Sequence, residues 1–258
     1  MDSYRILFIG DIVGKPGRRV LRERLPALCD SLRPLFVVAN AENSAGGVGI
    51  TPDIVEELLS YGIDALTLGN HAFQKRDILD YLDQGRPIVR PANMPAGVPG
   101  KGTVIVRRQG VSLAVSNLCG RVFMDSYDDP FAKADAIAAE LDTPHWLVDF
   151  HAEATSEKIA MAFHLEGRAT AVVGTHTHVT TADERVLPGG TAAITDVGMT
   201  GPPNGVLGME KEPILRRFRT GLPVRFEVAN EPGVICAVAI DVQFDTGRAT
   251  SIRRVRAD

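Results

Sequence analysis

Buried-strand runs and helical periodicities alternate along the first third of the chain. Residues 4–9 form an almost unbroken apolar run, which predicts a strand covered on both faces; Gly10-Asp11 closes it. Residues 18–32 place Val20, Leu21, Leu25 and Leu28 on one helical stripe, with Pro26 expected to kink it. A second buried strand, 35–39, ends at Asn40-Ala41-Glu42-Asn43. The glycine-rich stretch Gly46-Gly47-Val48-Gly49 follows. Thr51-Pro52-Asp53 then reads as a helix start, with a capping threonine, proline at the first position and an acid in the first turn. That helix closes near Gly62. A third strand, 64–68, ends at Gly69-Asn70-His71, and 73–82 is expected to be helical, closing near Gly85. Strand, helix, strand, helix, strand, helix implies a mostly parallel sheet.

The pattern then changes. Residues 87–102 form a loop rich in proline and glycine; 103–107 and 111–115 flank Gln109-Gly110 as a hairpin. Asp129-Pro130 opens a helix to Leu141, and 146–150 is a strand ending at His151. A helix over 156–165 and a short strand over 171–173 follow. From Glu184 onward the character is antiparallel: 185–187 pairs with 191–194, 211–218 is a short helix, and 225–228, 234–244 and 249–255 form a closing meander.

Composition narrows the class without naming a function. The chain has 258 residues, 45% hydrophobic and 23% charged, which suits one globular domain over 1–258. A net charge of −4 argues against a broad nucleic-acid-coating surface, though not against a nucleotide in a pocket. No apolar run reaches the roughly 20 residues of a membrane span. Met1-Asp2-Ser3-Tyr4-Arg5 leads straight into a strand, so a cytoplasmic location is expected. Cys29, Cys119 and Cys236 lack C-x-x-C spacing and sit among apolar residues, as small hydrophobes in a reducing compartment do. Any metal must therefore be held by His, Asp, Glu and Asn.

The strand ends carry the chemistry. They are Gly10-Asp11, Glu42-Asn43, Gly69-Asn70-His71, Asp149-Phe150-His151 and Gly174-Thr175-His176-Thr177-His178. The C-terminal edge of an α/β sheet is where sites form. Four of the six histidines lie there. If the strand continues as an extended loop, His176 and His178 present their imidazoles to one point. Alone, each residue has an ordinary reading. Asp11 and Asn70 suit turns, Glu42 suits a solvated edge, and His71 and His151 suit structural hydrogen bonds. Together they point to a metal or catalytic centre. His145 precedes a strand and His164 lies inside a helix, so both read as structural or surface residues. The glycine-rich stretch reads either as a phosphate loop or as a turn beside the site.

These blocks resemble those of the calcineurin-like metallophosphoesterase superfamily, with G-N-H and G-x-H-x-H the most specific. Two departures stand out: Asp11-Ile12-Val13 where Asp-x-His is usual, and Ala41-Glu42-Asn43 where G-D-x-x-D is usual. With Asn40-Ala41-Glu42-Asn43 and Arg90-Pro91-Ala92-Asn93, they resemble the YmdB-like bacterial branch. The resemblance implies a four-layer αββα sandwich of two mixed sheets flanked by helices, the closing meander falling in the second sheet. It implies two metal ions and hydrolysis of cyclic nucleotides, 2′,3′ or 3′,5′, by a metal-bound hydroxide. Asp11, Glu42, Asn43 and His178 would hold one ion. Glu42, Asn70, His151 and His176 would hold the other, with Glu42 bridging and His71 as general acid. The oxygen-rich first set favours iron or manganese over zinc. A phosphomonoesterase of the same fold, and a regulatory metalloprotein that binds RNA or protein with little turnover, are the competing expectations. A homo-oligomer is left open.

Overall fold

The computed structural model describes residues 3–258. In chain order its elements are β1 (Ser3–Ile9), β2 (Asp11–Ile12), α1 (Gly14–Leu32), β3 (Phe36–Asn40), α2 (Pro52–Ser60), β4 (Ala65–Thr67), α3 (Ile78–Tyr81) and β5 (Ile88–Val89). Next come β6 (Thr103–Arg108), β7 (Val111–Cys119), α4 (Pro130–Glu140), β8 (Trp146–His151), α5 (Thr155–His164) and β9 (Ala171–Thr175). The last are β10 (Arg185–Val186), β11 (Ala192–Ile194), β12 (Met199–Thr200), α6 (Lys211–Thr220), β13 (Ile235–Gln243) and β14 (Ala249–Ala257).

Side-chain alternation along the strands builds four layers. In β1, Leu7 and Ile9 join a core with Val20, Leu21 and Leu25 of α1 and Val55 and Leu58 of α2. Ile6 and Phe8 point the other way, into a second core with Leu113 of β7, Leu147 of β8 and Val173 of β9. In β8, Trp146, Val148 and Phe150 face a third core with Ala134 of α4 and Met161 of α5. The order is helices, sheet, sheet, helices. The first sheet runs β14-β13-β1-β3-β4-β5 and the second β10-β11-β9-β8-β7-β6. β1, β3, β4 and β5 are parallel to one another, as are β7, β8, β9 and β11.

Several sequence expectations shift for local reasons. α1 begins at Gly14, because Val13 at its start offers no capping side chain to read, and it runs on through Pro26. Thr51 precedes α2 in extended backbone but makes no side-chain cap bond. The helix expected over 73–82 shrinks to Ile78–Tyr81. Before it the chain winds by three-residue turns, Ala72 N–H to the Gly69 carbonyl and Gln74 N–H to that of His71. The loop over 87–102 contains β5, at the edge of the first sheet. β11 pairs antiparallel with β10 but parallel with β9. The meander is a hairpin only: Val228 makes one isolated bridge to Met209, and 225–228 is not a strand. That hairpin extends the first sheet, not the second, with β13 antiparallel to β1.

Candidate metal centre

Residues drawn from both sheets meet at a common rim. Asp11 follows Gly10 at the end of β1 and is fixed by the pairing of β2 with β12. Glu42 and Asn43 follow β3, Asn70 and His71 follow β4, His151 ends β8, and His176 follows β9. Asp11, Glu42, Asn43 and His151 are buried. Gly69 has no room for a side chain, since a Cβ there would meet the Glu42 carboxylate and the His151 ring.

The contacts fall into two groups joined by Glu42. In one, His151 Nε2 lies 2.9 Å from Asn70 Oδ1, 3.0 Å from Glu42 Oε1 and 3.0 Å from His176 Nδ1. Glu42, His151 and His176 each place a ligand atom within 4.8 Å of the others. In the other, Asn43 Nδ2 donates to Glu42 Oε1 at 3.3 Å and to His178 Nε2 at 3.1 Å. Asp11 Oδ1 lies 3.9 Å from His178 Nε2 and 3.9 Å from His151 Nδ1. His71 stands beside both groups. Its N–H donates to Glu42 Oε2 at 2.9 Å and its Nδ1 lies 2.9 Å from Asn43 Oδ1. All eight predicted site residues are therefore gathered here.

The donor set suits cations. Asp11 is fully buried, yet its Oδ1 has no hydrogen-bond partner among the described residues, an arrangement that native proteins rarely tolerate without an ion or water. Burial pushes the Asp11 carboxyl up, against the pull of His178 and His151. Burial also acts to raise Glu42, but the charge and hydrogen bond of His151, helped by His71, hold it well below the usual carboxylate range. Burial acts to lower His151, and the carboxylates of Glu42 and Asp11 overcome it, carrying the ring to about 9. Burial, then the charge on His151, drives His176 down to about 3.

Outer contacts orient the rings, as they do around metal ligands generally. His151 Nδ1 donates to Thr175 Oγ1 at 2.9 Å, and that hydroxyl donates to Asp149 Oδ1 at 2.6 Å. Asp149 also accepts from Asn40 Nδ2 at 2.9 Å and from the Thr67 hydroxyl, so it ties β8 to β3 and β4 between the sheets. Its burial pushes the carboxyl up to about 6. His176 Nε2 lies 3.2 Å from Glu153 Oε2, and its Nδ1 faces the cluster. His178 Nδ1 donates to the Leu207 carbonyl at 3.2 Å, leaving Nε2 facing Asn43.

His176 and His178 do not converge by extended alternation. Both have left-handed backbone, φ 102° and 67°, unusual for residues with side chains, and they serve different groups. The glycine-rich stretch is a turn beside the site rather than a free anion cradle. The Gly47 N–H is spent on the Asn43 carbonyl at 3.1 Å, and a Cβ on Gly47 would meet Met209. His145 is buried against the Tyr4 hydroxyl at 3.0 Å and His164 faces Asp135 at 3.0 Å, both away from the rim. The strand-end pattern includes Asp149 without giving it a role, and it passes over Glu153, Asp196 and the apolar side chains of Leu207, Ile214, Phe218 and Phe226 that line the cleft. The same strand-end rule applied to β11 points to Asp196.

A sequence model described as "YmdB-like protein" matches residues 7–255. The chain is 53% identical over 253 residues to a 2′,3′-cyclic-nucleotide 2′-phosphodiesterase of Bacillus subtilis (strain 168), covering 97% of this chain and 96% of the relative. A crystal structure of a hypothetical protein from Thermus thermophilus superposes with TM-score 0.93 at 43% identity, covering 98% of each chain. The crystal structure of a phosphatase from Mycoplasma pneumoniae does so with TM-score 0.94 at 33% identity, covering all of this chain and 94% of that one. The rim of carboxylate, amide and imidazole groups, the two-sheet sandwich that forms it and these likenesses agree: the chain belongs to the YmdB-like protein family.

Proposed function

We propose that the chain is a phosphodiesterase that opens 2′,3′-cyclic nucleotides with two transition-metal ions, iron or manganese. The observation that carries this reading is Glu42 Oε1, which touches His151 Nε2 at 3.0 Å and Asn43 Nδ2 at 3.3 Å and so joins the two donor groups. Asp11, Glu42, Asn43 and His178 would hold one ion; Glu42, Asn70, His151 and His176 would hold the other. Asp11, Glu42, Asn43 and Asn70 offer oxygen against three imidazoles, a mixture that suits iron or manganese. When bound, such ions neutralise phosphodiester charge and make a water acidic enough to attack near neutral pH.

The residues of the chain supply the rest. Asn43 Oδ1 accepts a hydrogen bond from the His71 Nδ1–H at 2.9 Å, which fixes the ring beside the cleft. A proton on His71 Nε2 then passes to the leaving O2′ as the P–O2′ bond breaks, so a nucleoside 3′-monophosphate leaves. Such a general acid contributes roughly 10²–10⁴ in rate.

The test pairs elemental analysis of freshly purified protein with turnover before and after chelation, on 2′,3′-cyclic AMP, 3′,5′-cyclic AMP, p-nitrophenyl phosphate and bis-p-nitrophenyl phosphate. The expected result is bound iron or manganese and chelator-sensitive cleavage of 2′,3′-cyclic AMP. A metal-replete protein inert on every diester would overturn the proposal, and a preference for p-nitrophenyl phosphate would make it a phosphomonoesterase.

A further inference from the structure

The cleft over the cluster encloses 610 Å³ and has two unlike walls. Glu42, Asn43, His71, His176 and His178 make the polar one. The other is apolar and aromatic, with Leu207, Ile214, Arg217, Phe218 and Phe226. Positions 214, 217 and 218 share one face of α6, since residues three and four apart on a helix lie together. Ile214 is buried and anchors that face. Phe218 is 82% exposed and Phe226 41%, so neither ring is committed to the core. The Arg217 guanidinium lies over the Phe226 ring, 5.4 Å from its centre, and among the described residues makes no ion pair.

We propose that this wall is the nucleobase seat of the same site, an inference that rests on the phosphodiesterase reading. A single ligand filling the cleft must put its phosphate at the polar wall and its remaining surface against the aromatic one. The cleft volume is that of a small-molecule pocket, not of a protein-docking groove. A flat base satisfies the wall by stacking on Phe218, while the planar guanidinium on Phe226 extends the platform and adds positive charge. Every base has a π-face, so such a wall accepts all four bases and ranks them by ring size, purines above pyrimidines. The substrate class is therefore nucleoside cyclic phosphates in general, and cyclic phosphates without a base are poor substrates.

The experiment compares metal-loaded wild type, Phe218→Ala and Phe218→Trp on 2′,3′-cyclic AMP and on glycerol 1,2-cyclic phosphate, which keeps the five-membered cyclic diester and lacks the base. Calorimetric binding of adenosine 3′-monophosphate gives a readout independent of turnover. Phe218→Ala is expected to raise KM for cyclic AMP, and Kd for the nucleotide, on the order of ten- to a hundredfold. It should leave kcat and the glycerol substrate unchanged, and Phe218→Trp should restore KM. Equal effects on the two substrates, or unchanged nucleotide binding in Phe218→Ala, overturn the base seat. Wild type that cleaves neither diester overturns the phosphodiesterase reading instead, and the calorimetry still decides whether the wall holds a base.

Discussion

Thr177 gives both its N–H and its hydroxyl to one oxygen of Asp196, Oδ2, at 3.0 and 2.8 Å. Buried Lys158 reaches the same oxygen at 2.8 Å. Thr177 stands between two histidines in left-handed backbone, a conformation that costs about 1–3 kcal/mol per residue and persists only where the surroundings enforce it. The enforcement here is the Asp196 carboxylate at the end of β11. Thr177→Val removes the hydroxyl bond and keeps the N–H one. It is expected to cost about 1–3 kcal/mol in denaturant unfolding. Metal affinity should fall about 10- to 100-fold by titration of the stripped protein. Unchanged affinity would mean that the imidazoles are held by other means.

Glu42→Gln tests the junction between the two donor groups. The amide keeps the shape and loses the charge that His151 answers. Metal content by elemental analysis should drop below that of wild type, with turnover falling in parallel. Full metal content in the variant would remove Glu42 from the shared position.

His71→Asn tests proton delivery. Metal content should stay at the wild-type level while kcat on 2′,3′-cyclic AMP falls by roughly 10²–10⁴. The loss should be much smaller on bis-p-nitrophenyl phosphate, whose leaving group needs no proton. Equal losses on the two substrates would assign His71 to positioning, and loss of metal would make it a ligand.

Stripping the metals should also loosen the fold. Glu42, Asn43 and Asn70 follow strands of the first sheet and Asp11 lies in β2, just past β1 of that sheet, whereas His151 ends β8 and His176 and His178 follow β9, both of the second. Ions shared between them would clasp the sheets and, by binding only the native state, raise Tm. Differential scanning calorimetry with and without chelator should show the rise in wild type and a smaller one in Glu42→Gln.

His145 gives an acid-side stability slope away from the rim. Burial lowers its pKa from the ordinary 6.5, with the Phe244 backbone opposing. The native ring resists a proton that the unfolded chain accepts. This contribution is therefore present above about pH 6.5 and is lost as pH falls below it. Between pH about 7.5 and about 5.5, wild type should lose more Tm than His145→Gln. Parallel losses would show that the ring does not drive the slope.

That these residues come together is legible in the sequence because the logic is local. A parallel strand that ends in Asp, Glu-Asn, Asn-His or His delivers those side chains to a rim set by strand direction alone, and no knowledge of neighbours is needed to list them. What escaped depends on distant contacts. Asp196 acts through Thr177 and Lys158, neither of which advertises it. Asp149 gains its meaning from Asn40 and Thr67, on strands of the other sheet. The sequence pattern makes β13 and β14 neighbours in a meander, but it does not settle which sheet they join, because pairing with β1 is a choice between two half-formed sheets. The bends at His176 and His178 broke the alternation rule because Asp196 pulls the chain out of its extended path.

The pairing of Ile6 with Ile240 places β1 beside a strand that is synthesised long after it. While the ribosome is still at work, β1 can join β3, but its other flank is a bare ladder of amides and carbonyls awaiting β13. Chains halted before residue 235 would display that ladder to one another, a template for strand addition between copies. Premature termination late in the message would thus produce not a slightly shortened enzyme but a sticky one.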